Sequence, residues 1–467
     1  MLFEKLKAYA PTATPFHMPG HKRNTDLSEY LRALCAECDI TEIHDFDDLH
    51  APEGILMECM QRAQALWGAK HTRFLVNGST GGILSAIYAL GAGGGKAVIA
   101  RNAHKSVYHA IEITGLEPVF VLPEFDKTHG MFLSLSPETV LKALENTPDA
   151  KFVMLTSPNY EGVISDVKAI CEIAHARNIP VIVDEAHGAH LDLSKEFPGG
   201  AVKAGADIVI QSVHKTLPSL TQTAVLHVNG SLVDFDSVCR AIGIFETSSP
   251  SYLLMSSIDG CVKLMEERGE EIWSDLHSEL QKFFASCGRL KKIRVLRPEN
   301  CFLADDSKIL ISGVNAGVSG KKIMEILREK YSIELEAAYP RYAVAMTGAG
   351  TKKKELQRLL NALLEMDAFF EWTPFGKESV CPSVPESVCS QKAALFSGYE
   401  LVPQEACLGR IAAEYAWAYP PGIPVFAPGE RISNESLEAW REMTDSGVNT
   451  FTTRGEEGHF AVVRDRP

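Results

Sequence analysis

The sequence predicts an α/β protein built on a mostly parallel sheet that helices cover on both faces. Between about residues 50 and 230, short apolar runs alternate with segments of helical periodicity. Polar and charged residues follow several of these apolar runs. Because ligands of such sheets bind beyond the carboxyl ends of the strands, we expect the functional residues to lie there.

The periodicity between residues 50 and 230 predicts a definite set of elements. The predicted strands are Thr72–Val76, Ala97–Ala100, Pro118–Leu122, Phe152–Leu155, Pro180–Val183, Ala206–Ile210 and Thr223–Val228. The predicted helices are Pro52–Gly68 (with the proline in its first turn), Gly81–Leu90, Lys105–Thr114 and Asp166–Arg177. A second region begins near Ser251 with a long charged helix, and strands are expected there at Ile293, Ile309, Ile333 and Tyr342.

The length of 467 residues exceeds what one compact core accommodates, so two or three domains are expected. We predict an amino-terminal segment at 1–50, a large domain at 51–250, and a smaller α/β domain at 251–372. A proline-containing linker and a small carboxyl-terminal domain are predicted at 373–467.

The composition argues against several classes of function. A formal net charge of −14 disfavours nucleic acid and anionic membranes as partners. No apolar run approaches a membrane span, and residues 1–10 lack a signal-peptide core, so a cytoplasmic protein is expected. The cysteines are expected to be thiols, with Cys35 and Cys38 on one face of a helix rather than at a metal.

Lys215 is the most informative residue of the chain. It follows the apolar run that ends at Ile210, so a strand would hold it on a fixed backbone. A deprotonated lysine can form an imine with a carbonyl cofactor. Asp184 lies at the end of another predicted strand. A lysine for the aldehyde and an aspartate for the ring nitrogen are the two groups that pyridoxal phosphate (PLP) requires most, so the pair indicates that cofactor.

Asn77–Gly81 joins a predicted strand to a helix and is a candidate phosphate site. Free backbone N–H groups at a helix start attract a phosphate, and Ser79 and Thr80 add hydroxyl donors. An ordinary capped turn is the alternative. The glycine-rich Gly91–Lys96 has the wrong spacing for a phosphate loop and is interpreted as a turn.

Three further segments have both a functional and a structural interpretation. His187 and His190 are spaced as a metal pair, but no third ligand has suitable spacing, so no metal is predicted. His104 suits either stacking on a cofactor ring or a solvated helix start. The hydroxyl-rich turn at 247–252 suits either phosphate binding or a helix cap.

Together these residues resemble the prokaryotic ornithine/lysine/arginine decarboxylases. The resemblance runs nearly from end to end through eight motifs: PFHMPGHK (15–22), TEIHDFDDLHAPEG (41–54), NGSTGG (77–82), RNAHKS (101–106), DEAHGAH (184–190), SVHKTLPSLTQTA (212–224), SSPSY (248–252) and YPPGIPVFAPGE (419–430). The lysine motif and the YPPGIP element are the specific ones.

The resemblance implies the PLP-dependent transferase fold (fold type I), with a seven-stranded sheet in the large domain. It implies that Lys215 carries the internal imine, that Asp184 pairs with the ring nitrogen and that His104 stacks on the ring. The remaining predicted cofactor contacts are Ser79, Thr80, Ala186, His187, Ser212 and His214 in the same subunit, and Ser248 and Ser249 reaching the neighbouring subunit. His214 is also a predicted catalytic residue, and the active unit would be a homodimer with shared sites.

The implied reaction is decarboxylation of arginine, lysine or ornithine through imine exchange at Lys215, as in polyamine biosynthesis. Glu161 is a hypothetical acceptor for the far-end cation of the substrate, and acidic residues of the partner subunit are the alternative. The alternatives are an aminotransferase, in which Arg341 would hold a carboxylate, a carbon–carbon lyase, or a non-catalytic PLP-binding regulatory paralogue.

Overall fold

A computed structural model describes residues 1–10, 12, 14–15, 17–418 and 422–464. The helices are α1 (Leu2–Tyr9), α2 (Glu29–Ala33), α3 (Ile55–Trp67), α4 (Gly78–Gly91), α5 (Lys105–Thr114), α6 (Pro137–Asn146), α7 (Val167–His175), α8 (Ala201–Ala204), α9 (Val213–Thr216), α10 (Phe235–Phe245), α11 (Tyr252–Cys287), α12 (Gly320–Tyr331), α13 (Lys353–Phe369), α14 (Gln391–Phe396) and α15 (Asn434–Asp445). None of them combines the length and apolarity needed to cross a membrane.

The strands are β1 (His71–Leu75), β2 (Lys96–Ala100), β3 (Glu117–Val121), β4 (Phe125–Asp126), β5 (Met131–Phe132), β6 (Val153–Thr156), β7 (Val163–Ile164), β8 (Val181–Asp184), β9 (Ile208–Gln211), β10 (Ala224–Val228), β11 (Arg294–Leu296), β12 (Leu303–Ala304), β13 (Lys308–Ser312), β14 (Ala337–Ala338), β15 (Tyr342–Met346), β16 (Tyr399–Pro403), β17 (Ala416–Ala418), β18 (Ile423–Phe426), β19 (Thr450–Thr452) and β20 (His459–Val463).

The main sheet has seven strands in the order β1-β10-β9-β8-β6-β2-β3. Strands β8 and β9 are parallel, as are β2, β3 and β6, whereas β10 is antiparallel to both β9 and β1. All residues of β8, β9 and β10 are buried, which accounts for their continuous apolar character. The α/β class and the mostly parallel seven-stranded sheet are therefore confirmed.

The chain divides into two compact units. The first unit comprises Met1–Ala89, Pro180–Ser274 and Gly348–Gly350, and the second comprises Leu90–Ile179, Asp275–Thr347 and Thr351–Pro467. In the second unit an antiparallel sheet has the order β11-β13-β15-β14. Near the carboxyl terminus β16 pairs with β20, and β17 lies between β18 and β19, around a core that includes Phe426, Trp440 and Phe460.

Some sequence-based boundaries are wrong for identifiable reasons. Helix α3 begins at Ile55, so Pro52 lies outside it. The carboxylate of Asp47 sets this start, because it accepts hydrogen bonds from the N–H groups of Gly54 at 2.8 Å and Leu56 at 3.0 Å. Burial opposes ionisation of Asp47, but four backbone N–H groups outweigh burial and hold the pKa of Asp47 below its ordinary value.

Two other predictions also differ from the structure. Ile333 is not in a strand, since the nearest one, β14, begins at Ala337. Cys35 and Cys38 do not share a helix face, because α2 ends at Ala33 and Cys35 has a positive φ of 57°. Of the motif at 419–430, residues 419–421 lie outside the described residues, as does Phe16 of the amino-terminal motif.

Arg101 and Glu430 form a buried ion pair within the second unit. Their side chains are 3% and 4% exposed. The guanidinium donates in bidentate fashion, from Nη1 to Oε1 at 2.6 Å and from Nη2 to Oε2 at 2.9 Å. The Ala427 N–H also donates to Glu430, and the guanidinium lies over the Phe120 ring. The pair thus joins the end of β2 to the carboxyl-terminal region.

We predict that Glu430→Ala lowers the free energy of unfolding by about 3–5 kcal/mol, because it leaves a buried guanidinium without its counter-charge. Urea unfolding measures this change. The matched control is Glu386→Ala, which removes the exposed partner of Arg431 and should cost under about 1 kcal/mol. Equal costs for the two variants would contradict the structural role of the buried pair.

Candidate active site

Lys215 lies in α9, the short helix directly after β9, in the first unit. Its Nζ is 2.9 Å from Nε2 of His187, which follows β8. The backbone here is firmly held, since the Ala349 N–H donates to the Thr216 carbonyl at 3.0 Å. A Cβ at Gly348 would lie 2.7 Å from that same carbonyl, so glycine allows this close approach.

Asp184 is the last residue of β8 and is 3% exposed. One carboxylate oxygen, Oδ1, accepts from the Ala186 N–H at 3.1 Å. The other, Oδ2, accepts no hydrogen bond from the described residues. Burial raises the pKa of Asp184, while the positive charge of Lys215 opposes that rise. The site therefore contains a buried carboxylate that has an open acceptor and a lysine near enough to affect its ionisation.

Ser212 and Ser79 connect the lysine to the start of α4. Ser212 is fully buried, and its hydroxyl donates to Ser79 Oγ at 2.8 Å. A Cβ at Gly82 would lie 2.6 Å from a Leu75 side-chain carbon, so the first turn of α4 packs closely on the sheet. Thr80, in the same turn, is exposed. Two predicted phosphate ligands are thus in direct contact at a helix start.

His214 is held as a neutral imidazole beside Lys215. Its Nδ1 lies 2.9 Å from the Thr223 carbonyl oxygen, so Nδ1 carries the proton and donates it. Burial is the main cause that lowers the pKa of His214, and the charge of Lys215 acts in the same direction. The Nε2 of His214 is consequently a hydrogen-bond acceptor.

The remaining predicted residues have other surroundings. Ala186 and His187 are both 4% exposed and follow Asp184 in the first unit. His104 belongs to the second unit and caps α5, where its Nδ1 accepts from the Ser106 N–H at 3.2 Å. Ser248 and Ser249 are exposed, in the turn before α11. The structure thus brings together Lys215, Asp184, His187, His214, Ser212 and Ser79 within one unit.

His190 does not join His187 in a metal pair. Its ring stacks on Trp273 with centroids 4.4 Å apart. Among the described residues, no group of three or more His, Cys, Asp or Glu side chains is arranged to hold a metal ion.

Sequence reasoning missed a buried polar network behind this site. The Glu185 carboxylate accepts from Gln211 Nε2 and from the Ala201 N–H, each at 2.7 Å. The Gln211 Oε1 is 3.1 Å from His227 Nε2, and His227 Nδ1 is 2.8 Å from Thr72 Oγ1. The sequence does contain a signal for this network, because Gln211 and His227 are polar residues within otherwise apolar strands.

Solved structures identify the fold. The ureidoglycine–glyoxylate aminotransferase of Bacillus subtilis aligns with a TM-score of 0.55, at 16% identity over 69% of this chain and 87% of its own. The lysine decarboxylase of Francisella novicida aligns with a TM-score of 0.82, at 18% identity over 99% of this chain and 81% of its own. At such identities the likeness shows the fold alone, which is that of the PLP-dependent enzymes of fold type I.

Sequence comparison identifies the family. The model described as Orn/Lys/Arg decarboxylase, major domain, matches residues 1–338, and the corresponding C-terminal domain matches 383–451. The arginine decarboxylase of Bacillus subtilis is 34% identical over 96% of this chain and 94% of its own length. That of Halalkalibacterium halodurans is also 34% identical, over the same shares. The chain belongs to the ornithine/lysine/arginine decarboxylase family and is a PLP-dependent decarboxylase.

The residues of the first unit fit PLP. The open Oδ2 of buried Asp184 lacks the donor that a protonated ring nitrogen would supply. Ala186 is small enough to let a flat ring approach the backbone. The Ser79 and Ser212 hydroxyls, at the start of α4, suit a phosphate. PLP is the cofactor of this enzyme class, so these residues are consistent with the family.

Glu185 gives a pH-dependent prediction. Burial raises its pKa to about 8, well above that of an unfolded chain. The folded protein therefore holds a proton that the unfolded chain releases, and stability falls as pH rises from about 5 to about 8, by up to about 1.4 kcal/mol per pH unit. Glu185→Gln removes this contribution, so its stability relative to the wild type should increase with pH in urea unfolding.

The control for this experiment is Glu145→Gln, which makes the same change at an exposed position. Its stability should run parallel to that of the wild type across the whole pH range. If the stability of Glu185→Gln also ran parallel to that of the wild type across this pH range, Glu185 would be ionised in the folded protein.

Proposed function

We propose that the chain removes the carboxylate of a basic amino acid to give its amine and carbon dioxide, with arginine as the first substrate to test. The observation that carries the proposal is the arrangement of Lys215, His187 and Asp184 around one point at the ends of β8 and β9. The choice of arginine rests on relatives that are named arginine decarboxylases and are more than 30% identical. A role in polyamine biosynthesis and a cytoplasmic location are parts of the same proposal.

Lys215 would hold the cofactor through its aldehyde, and Asp184 would accept a hydrogen bond from the ring nitrogen. When bound, PLP supplies an electron sink for the bond that breaks at the substrate Cα. Ser79, Thr80 and Ser212 would hold the phosphate, with Ser248 and Ser249 contributed by a partner subunit. Ala186 and His187 would line the ring, and His104 is the residue proposed to stack on it.

Lys215 and His187 transfer the proton that the substrate carbon receives. Their side-chain nitrogens are 2.9 Å apart, close enough to share one proton. Lys215 Nζ gives a proton to the substrate carbon after carbon dioxide leaves, and His187 Nε2 can resupply it. His214, held neutral by burial, keeps an acceptor nitrogen beside the lysine without adding a second positive charge.

The position of Arg341 argues against the aminotransferase alternative. Its Nε donates to Glu442 at 3.0 Å, and its Nη1 donates to the carbonyl of Lys377 at 2.7 Å. An arginine that binds a substrate carboxylate would need guanidinium N–H groups that are not already bonded to other parts of the protein. Arg341 instead joins segments of the second unit.

A homodimer with shared sites is proposed from exposed residues of the first unit. Ser248 and Ser249 project from the turn before α11 without burial. Leu27, Tyr30 and Leu34 are 67%, 62% and 65% exposed, which is typical of a surface that another chain covers. A second subunit would both cover these side chains and receive the serines.

We expect Lys215→Ala to lose covalent cofactor attachment and to lower turnover more than about a thousandfold. Borohydride reduction followed by peptide mapping locates the attachment. Production of amine and carbon dioxide from arginine, lysine and ornithine, assayed separately, identifies the substrate. Lys203→Ala, at an exposed position of the same unit, is the matched control and should change neither readout. A label on another lysine, or a keto acid as product, would contradict the proposal.

Shared sites predict complementation. A mixed dimer pairs a Lys215→Ala chain with a chain that carries both Ser248→Asp and Ser249→Asp. One of its two sites is then complete, because it combines the lysine of the doubly substituted chain with the serines of the Lys215→Ala chain. After random reassortment the mixture should regain roughly a quarter of wild-type activity, although each variant alone is nearly inactive. Failure to regain activity despite demonstrated mixed dimers would place the serines in the same subunit as their lysine.

A further inference from the structure

A cavity of about 120 Å³ lies within the second unit, and no residue of the Lys215 site lines it. Its walls come from β4, β5, the start of β15, α15 and the segment around β18. This volume is slightly below that of a cavity of roughly 150 Å³ that binds benzene in another protein. It accommodates a small organic molecule of four or five carbons.

The charges along the cavity favour a cation. Of the described residues that line it, Glu161, Glu435 and Glu442 are acidic, and Arg101 is basic. Arg101 is already bound by Glu430, and Glu442 is already bound by Arg341. Neither Glu161 nor Glu435 has a lysine or arginine partner among the described residues. Glu435 is exposed to solvent, so of these two carboxylates only Glu161 is buried without a cationic partner.

Glu161 bears more directly on ligand binding than Glu435 does, because Glu161 is only 7% exposed. Its Oε1 accepts from the Tyr342 hydroxyl at 2.7 Å. Burial raises the pKa of Glu161, and the hydrogen bonds from the Tyr342 hydroxyl and from the Glu161 backbone N–H offset this rise only in part. A buried carboxylate that has only neutral hydrogen-bond partners is unusual, since such groups are ordinarily paired with a cation.

Aromatic rings complete the wall next to Glu161. Tyr339 and Tyr342 are stacked with centroids 4.6 Å apart, and Phe125 and Phe132 meet edge to face at 5.5 Å. Aromatic faces attract an ammonium ion, and the aliphatic remainder of the wall suits an alkyl chain. An anion would meet the uncompensated carboxylate of Glu161 here.

We propose that this cavity binds a short-chain primary ammonium ion, an alkylamine or an α,ω-diamine, with its ammonium group against Glu161. The amines formed by decarboxylation of basic amino acids have this chemistry. That source for the ligand rests on the proposed function, whereas the site itself does not.

The test is isothermal titration of the full chain with 1-aminobutane and with 1,4-diaminobutane. Saturable binding is expected, and Glu161→Gln should weaken it at least about tenfold by removing the counter-charge. Ala439→Leu should weaken it similarly by filling the cavity while leaving Glu161 in place. Glu145→Gln, which removes an exposed carboxylate of the same unit, should bind as the wild type does.

The titration is repeated on Lys215→Ala. Retained binding supports a site separate from the lysine even if the decarboxylase proposal fails. The inference is overturned if the wild type binds neither amine, if Lys215→Ala abolishes binding, or if binding survives both Glu161→Gln and Ala439→Leu unchanged. Thermal melting of each variant establishes that it is folded.

Discussion

The constraint on which the site depends is the burial of the Asp184 carboxylate at the end of a strand. In a medium of low polarity such a group stays ionised only if a positive charge or a strong donor lies close to it. Lys215 supplies the positive charge, and a single backbone N–H satisfies one oxygen. The second oxygen is available to a ligand. A cationic aromatic nitrogen satisfies both demands, because it brings a charge and a directed donor.

Glu185, the next residue along, has the opposite environment. Glu185 follows the last residue of β8, and its N–H still donates to the Ile210 carbonyl of β9 at 2.9 Å. The backbone therefore stays paired at this point, and successive side chains point to opposite faces. Asp184 lies near a cation, whereas Glu185 meets Gln211 and a backbone N–H, and burial keeps its pKa near 8. The positive charge of Lys215 opposes the rise in the pKa of Asp184, whereas no cation among the described residues acts on Glu185. The two neighbouring carboxyl groups of Asp184 and Glu185 thus have different surroundings, because the backbone directs their side chains to different places.

The fold class, the family, the enzyme class and the cofactor could be predicted from the sequence and are confirmed. Those inferences depended on short-range patterns, such as the alternating apolar runs and the lysine after β9. Boundaries that depend on contacts distant in sequence were missed. The start of α3 is set by Asp47, seven residues before Gly54, and the network of Glu185 joins residues up to 155 positions apart, as Thr72 and His227 are. The roles of individual site residues stay predictions, since contacts alone do not assign chemistry.

The motifs that carried the family resemblance divide into two physical kinds. Asn77–Gly82, Asp184–His190 and Ser212–Ala224 contribute the side chains that meet around Lys215. In three other motifs the structure gives Asp47 a capping role and joins Arg101 to Glu430 in a buried ion pair. A match at these residues therefore argues for the same scaffold, whereas a match in the first kind argues for the same chemistry around Lys215. The family assignment is strong because both kinds are present in one chain.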